Sequence, residues 1–351
     1  MATSAVKKRK TVHTTDVGNP SPIVPIRLAC PGLGEVDTRI VVFKKEFHVH
    51  STILKVYSGF FHAFLDSPEK AGHNSTSARA LLDSPEKVAH NSTSTFRYDY
   101  ISVVDEDGTW GLEPVAMTTK KNKSLEIPEP MMEEHAFKCV LKAMYMMAYE
   151  IVSTKFLERI VALADFYRAL PAVSTSINTV LWQSKDFQNE MMRENVAPRV
   201  LICAKKLRNT LLFREAFTLV ICPCFVKARI VETLNFFEED KDLSNLVLHE
   251  YLRINELALK AIGEVFADSS EEEVIRAAVK RSIHGEQCFR VGAGFMRRLH
   301  HALNDIISPL IGTTSMIQSS LLNEKLMARL GYCCAEISDK DLPWDQNEAS
   351  W

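Results

Sequence analysis

The feature that most constrains this chain is a change of period between residues 39 and 64. Arg39 to Phe43 reads RIVVF, β-branched and extended. Lys44, Lys45 and Glu46 make a polar turn, and Phe47 to Val49 return as a second strand, so the pattern predicts a hairpin. From His50 the two-residue period gives way to helical spacing: Ile53, Leu54, Tyr57, Phe60, Phe61 and Phe64 line one face. Asp66-Ser67-Pro68 then stops the helix, because proline lacks the N–H and restricts its predecessor. The change happens once more. Phe96 to Val104 (FRYDYISVV) alternate as a strand, Asp105 to Gly108 make a turn, and Trp110 begins the return strand. A chain that builds two hairpins with helices between them and helices after them belongs to the α+β class.

From about residue 133 nearly everything reads helical. Phe156, Ile160, Leu163, Ala164, Tyr167 and Leu170 form one apolar stripe. A break at Pro171 leads to Ser174, read as the N-cap of the next helix. Further helices are predicted over 196–220, 244–267, 270–281, 286–307 and 315–335, with Ser270 and Glu273 as a capping box. Glu238, Glu239, Asp240 and Asp242 are read as a solvated acidic connector, and Lys205, Lys206 and Arg208 as the solvated face of an amphipathic helix. Residues 1–35 are rich in Pro, Gly, Thr and Lys without a sustained period, and are predicted to be a flexible arm. The expected division is an arm (1–35), an α+β head (36–185) with a long polar loop at 66–95, and a helical region (186–351).

The loop contains a duplication. LDSPEKAGHNSTS at 65–77 recurs as LDSPEKVAHNSTS at 82–94. One copy would already bridge the second helix and the strand at Phe96. A doubled surface loop costs only about 0.6 kcal/mol of extra closure entropy, so the second copy is read as loop extension; an error in the gene sequence would leave the same text. Each copy carries a Ser-Pro with a basic residue close behind it, at Ser67 and Ser84, as in proline-directed kinase sites. Ser67 fits a helix-stop turn better, and Ser84 is the better candidate for phosphorylation.

No chemistry stands out. Net charge is −2, so the surface as a whole offers no basic field for nucleic acid, and no DNA-reading motif is present. No apolar run reaches the ~18 residues needed to span a bilayer. Eight cysteines, Cys30, Cys139, Cys203, Cys222, Cys224, Cys288, Cys333 and Cys334, are scattered rather than framed, as in proteins of a reducing compartment. Cys222-Pro223-Cys224 and Cys333-Cys334 lack the spacing of a zinc site and are read as core packing. His48 and His50 could present one face of a strand to a metal, but no third ligand lies near them in sequence. There is no G-x-S-x-G, Walker loop or dinucleotide fingerprint. The expectation is a non-enzymatic protein without cofactor or metal. Lys7, Lys8, Arg9 and Lys10 can be a nuclear import signal or a solubilising tail, and the absence of a secretory h-region points to the nucleus or cytoplasm.

The head resembles a BTB/POZ domain. The residues that carry the resemblance are Asp37 in the first strand, Phe47 and His50 as F-x-x-H, Leu54, and Ser58 with Phe61 as S-x-x-F. A second block follows as Phe137, Val140, Leu141 and Tyr145, then Val161, Ala164, Asp165 and Tyr167. Beyond the head, YDYISVVDEDGTWGLEP (98–114), ALPAVS (169–174), AKKLRN (204–209), LFREAF (212–217), CAEI (334–337) and DLPWD (341–345) resemble words shared by a group of fungal BTB proteins. The resemblance implies a protein–protein interaction adaptor, with a second copy of the chain among its partners. It also implies two rivals, a nuclear transcription regulator and a substrate receptor of a cullin-3 ubiquitin ligase. Cullin-3 adaptors carry a hydrophobic-x-Glu element after the second helix; here Ser67 occupies the hydrophobic slot before Glu69. Corepressor-binding members pair the first-strand Asp with a basic residue after the helix-start His, where this chain has Ser51.

Overall fold

The structure is a computed structural model that describes residues 24–65, 96–118, 127–267 (save 192, 194, 228 and 229) and 337–348. The basic cluster Lys7–Lys10, both Ser-Pro sites, the duplicated segment, Cys288, Cys333, Cys334 and the helices expected over 270–335 lie outside the described residues.

A mixed five-stranded sheet carries the N-terminal part, its strands lying side by side in the order β1 (Ile26–Arg27), β3 (Lys45–Val49), β2 (Thr38–Val42), β4 (Tyr98–Val104) and β5 (Trp110–Pro114). Strands β2 (Thr38–Val42) and β3 (Lys45–Val49) form the first hairpin, and β4 (Tyr98–Val104) and β5 (Trp110–Pro114) the second. β4 runs parallel to β2, with Ile40 opposite Tyr100. A parallel neighbour requires a crossover. Two short helices, α1 (Ser51–Tyr57) and α2 (Gly59–Leu65), lie on that connection. Alternation sorts the faces: Ile40, Val42, Phe47, Val49, Tyr98, Tyr100, Trp110 and Leu112 point into the core.

The first turn is tighter than the expected 44–46: Phe43 adopts a left-handed φ of 49° and the return strand begins at Lys45. The expected arm is also shorter. Ile26 and Arg27 form β1 (Ile26–Arg27), parallel to β3, and Leu28 is buried with its N–H on the His48 carbonyl (2.9 Å). A two-residue strand carries too little alternation to be seen in sequence, yet it covers an edge that would otherwise expose unpaired backbone groups.

Helices complete the fold: α3 (Pro130–Met144), α4 (Thr154–Phe166), α5 (Leu170–Gln183), α6 (Lys185–Met191), α7 (Ala197–Lys206), α8 (Thr210–Lys227), α9 (Ile230–Asn235) and α10 (Lys241–Ala267). Pro171 sits in the first turn of α5, where a missing N–H costs nothing, so Ser174 is not an N-cap but an interior residue. The single helix expected over 196–220 is two. Arg208 turns left-handed (φ 48°), and Asn209 caps α8 by accepting the Leu212 N–H at 2.8 Å. The Asn209 side-chain amide also donates to the Ser174 carbonyl and to Asn178, each at 2.9 Å, tying α8 to α5. Buried apolar side chains form one connected cluster from Leu28 in the sheet to Leu342 near the C-terminus, so head and helical region share a core. Among the described residues, no helix is long and apolar enough to cross a membrane.

Candidate interaction surface

Asp37, His50, Ser58, Phe61 and Tyr167 meet at two joints. The first is the start of α1. Asp37 accepts the Ser51 backbone N–H (2.7 Å) on one oxygen and the Ser51 hydroxyl (2.6 Å) on the other. It therefore acts as the cap that His50, the residue before the helix, does not provide with its own side chain. His50 is 3% exposed. Its N–H donates to the Tyr145 hydroxyl at 2.6 Å, that hydroxyl lies 3.0 Å from His50 Nδ1, and His50 Nε2 lies 3.4 Å from the Gly34 carbonyl. With the imidazole proton on Nε2, every donor meets an acceptor. Burial pushes the Tyr145 phenol up to about 12, so it stays neutral.

The second joint holds α2 against the end of α4. The Ser58 hydroxyl donates to the Tyr167 carbonyl (2.5 Å) and accepts the Phe61 N–H (3.1 Å), while the Gly59 N–H donates to the Arg168 carbonyl (3.1 Å). Arg168 is left-handed (φ 48°), which ends α4 and turns its carbonyl toward Gly59. Phe61 stacks on Tyr167, rings 5.5 Å apart and 2° from parallel. Phe47, Trp110 and Phe137 close the same aromatic cluster. Phe47, Leu54, Phe61, Ala164 and Tyr167 are wholly buried, so these motif residues are structural supports; Asp165 is half exposed.

The joint also creates a surface. Phe60 stacks on Phe64 at 4.9 Å and lies 5.9 Å from Phe166, which is 53% exposed. Phe60 and Phe64 are themselves partly buried against the core, so the patch is one exposed ring, Phe166, backed by two half-covered ones; aromatic side chains of this kind are enriched at interfaces.

Several charged side chains elsewhere among the described residues pair with one another. Glu133 is buried; it accepts the Trp110 indole N–H (2.8 Å) and pairs with Arg159 (2.6 Å). On the outer face of the sheet Arg39 bridges Asp99 and Glu46, and His48 reaches Glu46 at 2.7 Å. The bond to Arg39 holds the Glu46 carboxyl below its ordinary range. His48 and His50 thus serve different partners. Lys205, Lys206 and Arg208 are not a merely solvated face: they pair with Asp240, Asp165 and Glu348, each at 2.7 Å. Nor is the acidic connector merely solvated, since Asp240 also accepts the Leu243 N–H (3.0 Å) and caps α10. Burial pushes the thiols of Cys139 and Cys203 up to about 12, leaving no thiolate at neutral pH. No cluster of three metal-ligating side chains occurs among the described residues.

Sequence reasoning missed Asn209 and Asp240 as caps and Glu133 as a buried acid. Asn before Thr-Leu-Leu is a readable cap signal; a buried Glu in the first turn of a helix carries none. Comparison with protein-family models, with curated proteins and with solved structures finds no match for this chain.

Proposed function

We propose that the chain is a non-enzymatic protein–protein interaction adaptor whose N-terminal part is a BTB/POZ-like head. The order hairpin, helix pair, hairpin, helix pair supports this reading, as does the placement of Asp37, His50, Ser58, Phe61 and Tyr167 at the joints between those elements. The observation that carries the interaction itself is the Phe60–Phe64–Phe166 patch. Burying it against a partner would remove aromatic surface from water at ~25 cal/mol per Å², and rigid aromatic anchors dominate interface energies.

The corepressor-type rival is weakened by Asp37, whose two oxygens are already occupied by Ser51. Affinity purification of wild type and Phe166→Glu, read by mass spectrometry, tests the adaptor reading. Proteins retained by wild type and lost from the variant support it, and cullin or chromatin proteins among them would name the class. Identical recoveries from both forms would sink it.

A further inference from the structure

Arg168 stands at the rim of the aromatic patch. It follows the cap of α4 with a left-handed φ of 48°, at a position that glycine or asparagine fills with less strain than a long side chain. Its stem lies along the first turn of α2: a Cβ placed on Gly59 would meet Arg168 Cβ at 3.4 Å and Cδ at 3.5 Å. Glycine at 59 thus gives the stem room, and the Gly59 N–H donates to the Arg168 carbonyl (3.1 Å). The next residue, Phe60, lies 5.9 Å from Phe166, two positions before Arg168. Arg168 is exposed, so an exposed ring and an exposed cation share one edge of the joint.

The local charge is positive. The carboxylate nearest to Arg168 in sequence, Asp165, is taken by Lys206 (2.7 Å), and that pair cancels. α2 reads GFFHAFL and carries no carboxylate, while His62 on its exposed side adds no negative charge. A second left-handed arginine, Arg208, has its carboxylate within the chain: its guanidinium pairs with Glu348 (2.7 Å). Arg159 and Arg199, on the elements that flank the same joint, pair with Glu133 and Glu158. Arg168 is left as the net charge beside Phe166.

We infer that the partner seated on the aromatic patch presents an acidic, apolar-rich peptide segment, with a carboxylate on Arg168 and an aliphatic or aromatic side chain against Phe166. The inference rests on the proposed reading of the patch as a contact surface and adds the chemistry of what it contacts. A guanidinium grips a carboxylate through two parallel N–H···O bonds, which fixes orientation as well as attraction. Phe166, on the same edge, supplies the apolar contact, so one anchor of each kind sets the register of the segment. An anionic lipid surface fits less well, because such binding adds up over several basic residues and α2 with the end of α4 offers one unpaired arginine among the described residues.

The test selects phage-displayed random dodecamer peptides on the full chain, counter-selects them on Phe166→Ala, and measures the fluorescein-labelled survivors by anisotropy. The survivors should carry net negative charge beside large apolar residues. They should bind the Arg168→Glu chain about tenfold more weakly than wild type at low salt, with a smaller difference at high salt. Replacing the peptide's carboxylate by lysine should reverse that preference. Survivors without net negative charge, or equal binding to wild type and Arg168→Glu, overturn the inference and leave the patch reading standing. If no peptide prefers wild type to Phe166→Ala, the patch reading fails and the inference falls with it. Flotation of wild type with phosphatidylserine vesicles, lost in both variants, would name a lipid surface instead and overturn the inference. If Arg168→Glu fails to fold, Arg168→Gln, which keeps most of the stem, takes its place with an expected loss of about threefold; no loss refutes. Failure of both to fold would make Arg168 part of the joint rather than of the surface and equally overturn the inference.

Discussion

Replacing Phe61 by alanine tests whether the joint between α2 and α4 is the support it is argued to be. The ring is fully buried, stacked on Tyr167 at 5.5 Å and edge-on to Phe60 at 5.3 Å. Deleting a buried phenyl group costs about 3–5 kcal/mol, the upper part of that range applying where neighbours cannot collapse into the space. Collapse is hindered here because Tyr167 also packs against Phe137 at 5.4 Å and its backbone is held by Ser58. A loss of about 4 kcal/mol lowers the melting temperature by roughly 8–16 °C for a folded unit of this size. Phe166→Ala is the control: its ring is 53% exposed, and truncation should cost about 1 kcal/mol or less. Thermal and urea unfolding followed by circular dichroism would measure both. A Phe61→Ala protein melting within about 2 °C of wild type, or no lower than Phe166→Ala, would refute the reasoning.

Other outcomes follow from the same geometry. Ser58→Ala strands the Phe61 N–H and the Tyr167 carbonyl at a site where Ser58 is 1% exposed, and should cost about 1–3 kcal/mol in urea unfolding. Asp37→Ala should cost about 0.5–2 kcal/mol through loss of the α1 cap, and Asp37→Asn distinctly less, because the amide oxygen can still accept one of the two bonds. The thiols of Cys139 and Cys203 ionise near 9 when unfolded and near 12 when folded. Above pH 9 the unfolded chain therefore holds fewer protons than the folded one. The stability they contribute is complete below pH 9 and is lost as pH rises toward 12. The urea midpoint should fall between pH 8.5 and 10.5, and Cys139→Ala with Cys203→Ala should flatten that fall; parallel slopes in the two proteins would contradict the burial argument.

The strands and helices whose residues repeat a period were legible in sequence. Ile40, Val42, Phe47 and Val49 alternate, and Phe156, Ile160, Leu163 and Ala164 recur helically, so each announces its buried face without reference to the rest of the fold. What failed was set by contacts between segments distant in sequence. β1 is two residues long and exists because β3 offers an edge. Pro171 opens a helix instead of preceding one because Arg168 turns left-handed just before it. Lys205 and Lys206 look solvated in the pattern of their own helix, and the carboxylates that pair with them come from Asp240 and Asp165 on other elements. The candidate surface was half legible. Phe60, Phe61 and Phe64 were read as one apolar face, whereas the break at Ser58 buries Phe61 and leaves Phe60 and Phe64 beside the exposed Phe166.

The Phe60–Phe64–Phe166 patch is the proposed contact surface for another protein. Site-specific photo-crosslinking tests it most directly, with benzoylphenylalanine placed at Phe166 and, as control, at Leu252, which is 57% exposed on α10. The expected result is discrete adducts to protein, a second copy of the chain or another partner, from position 166 and few or none from 252. Equal or absent adducts at both positions would contradict the claim.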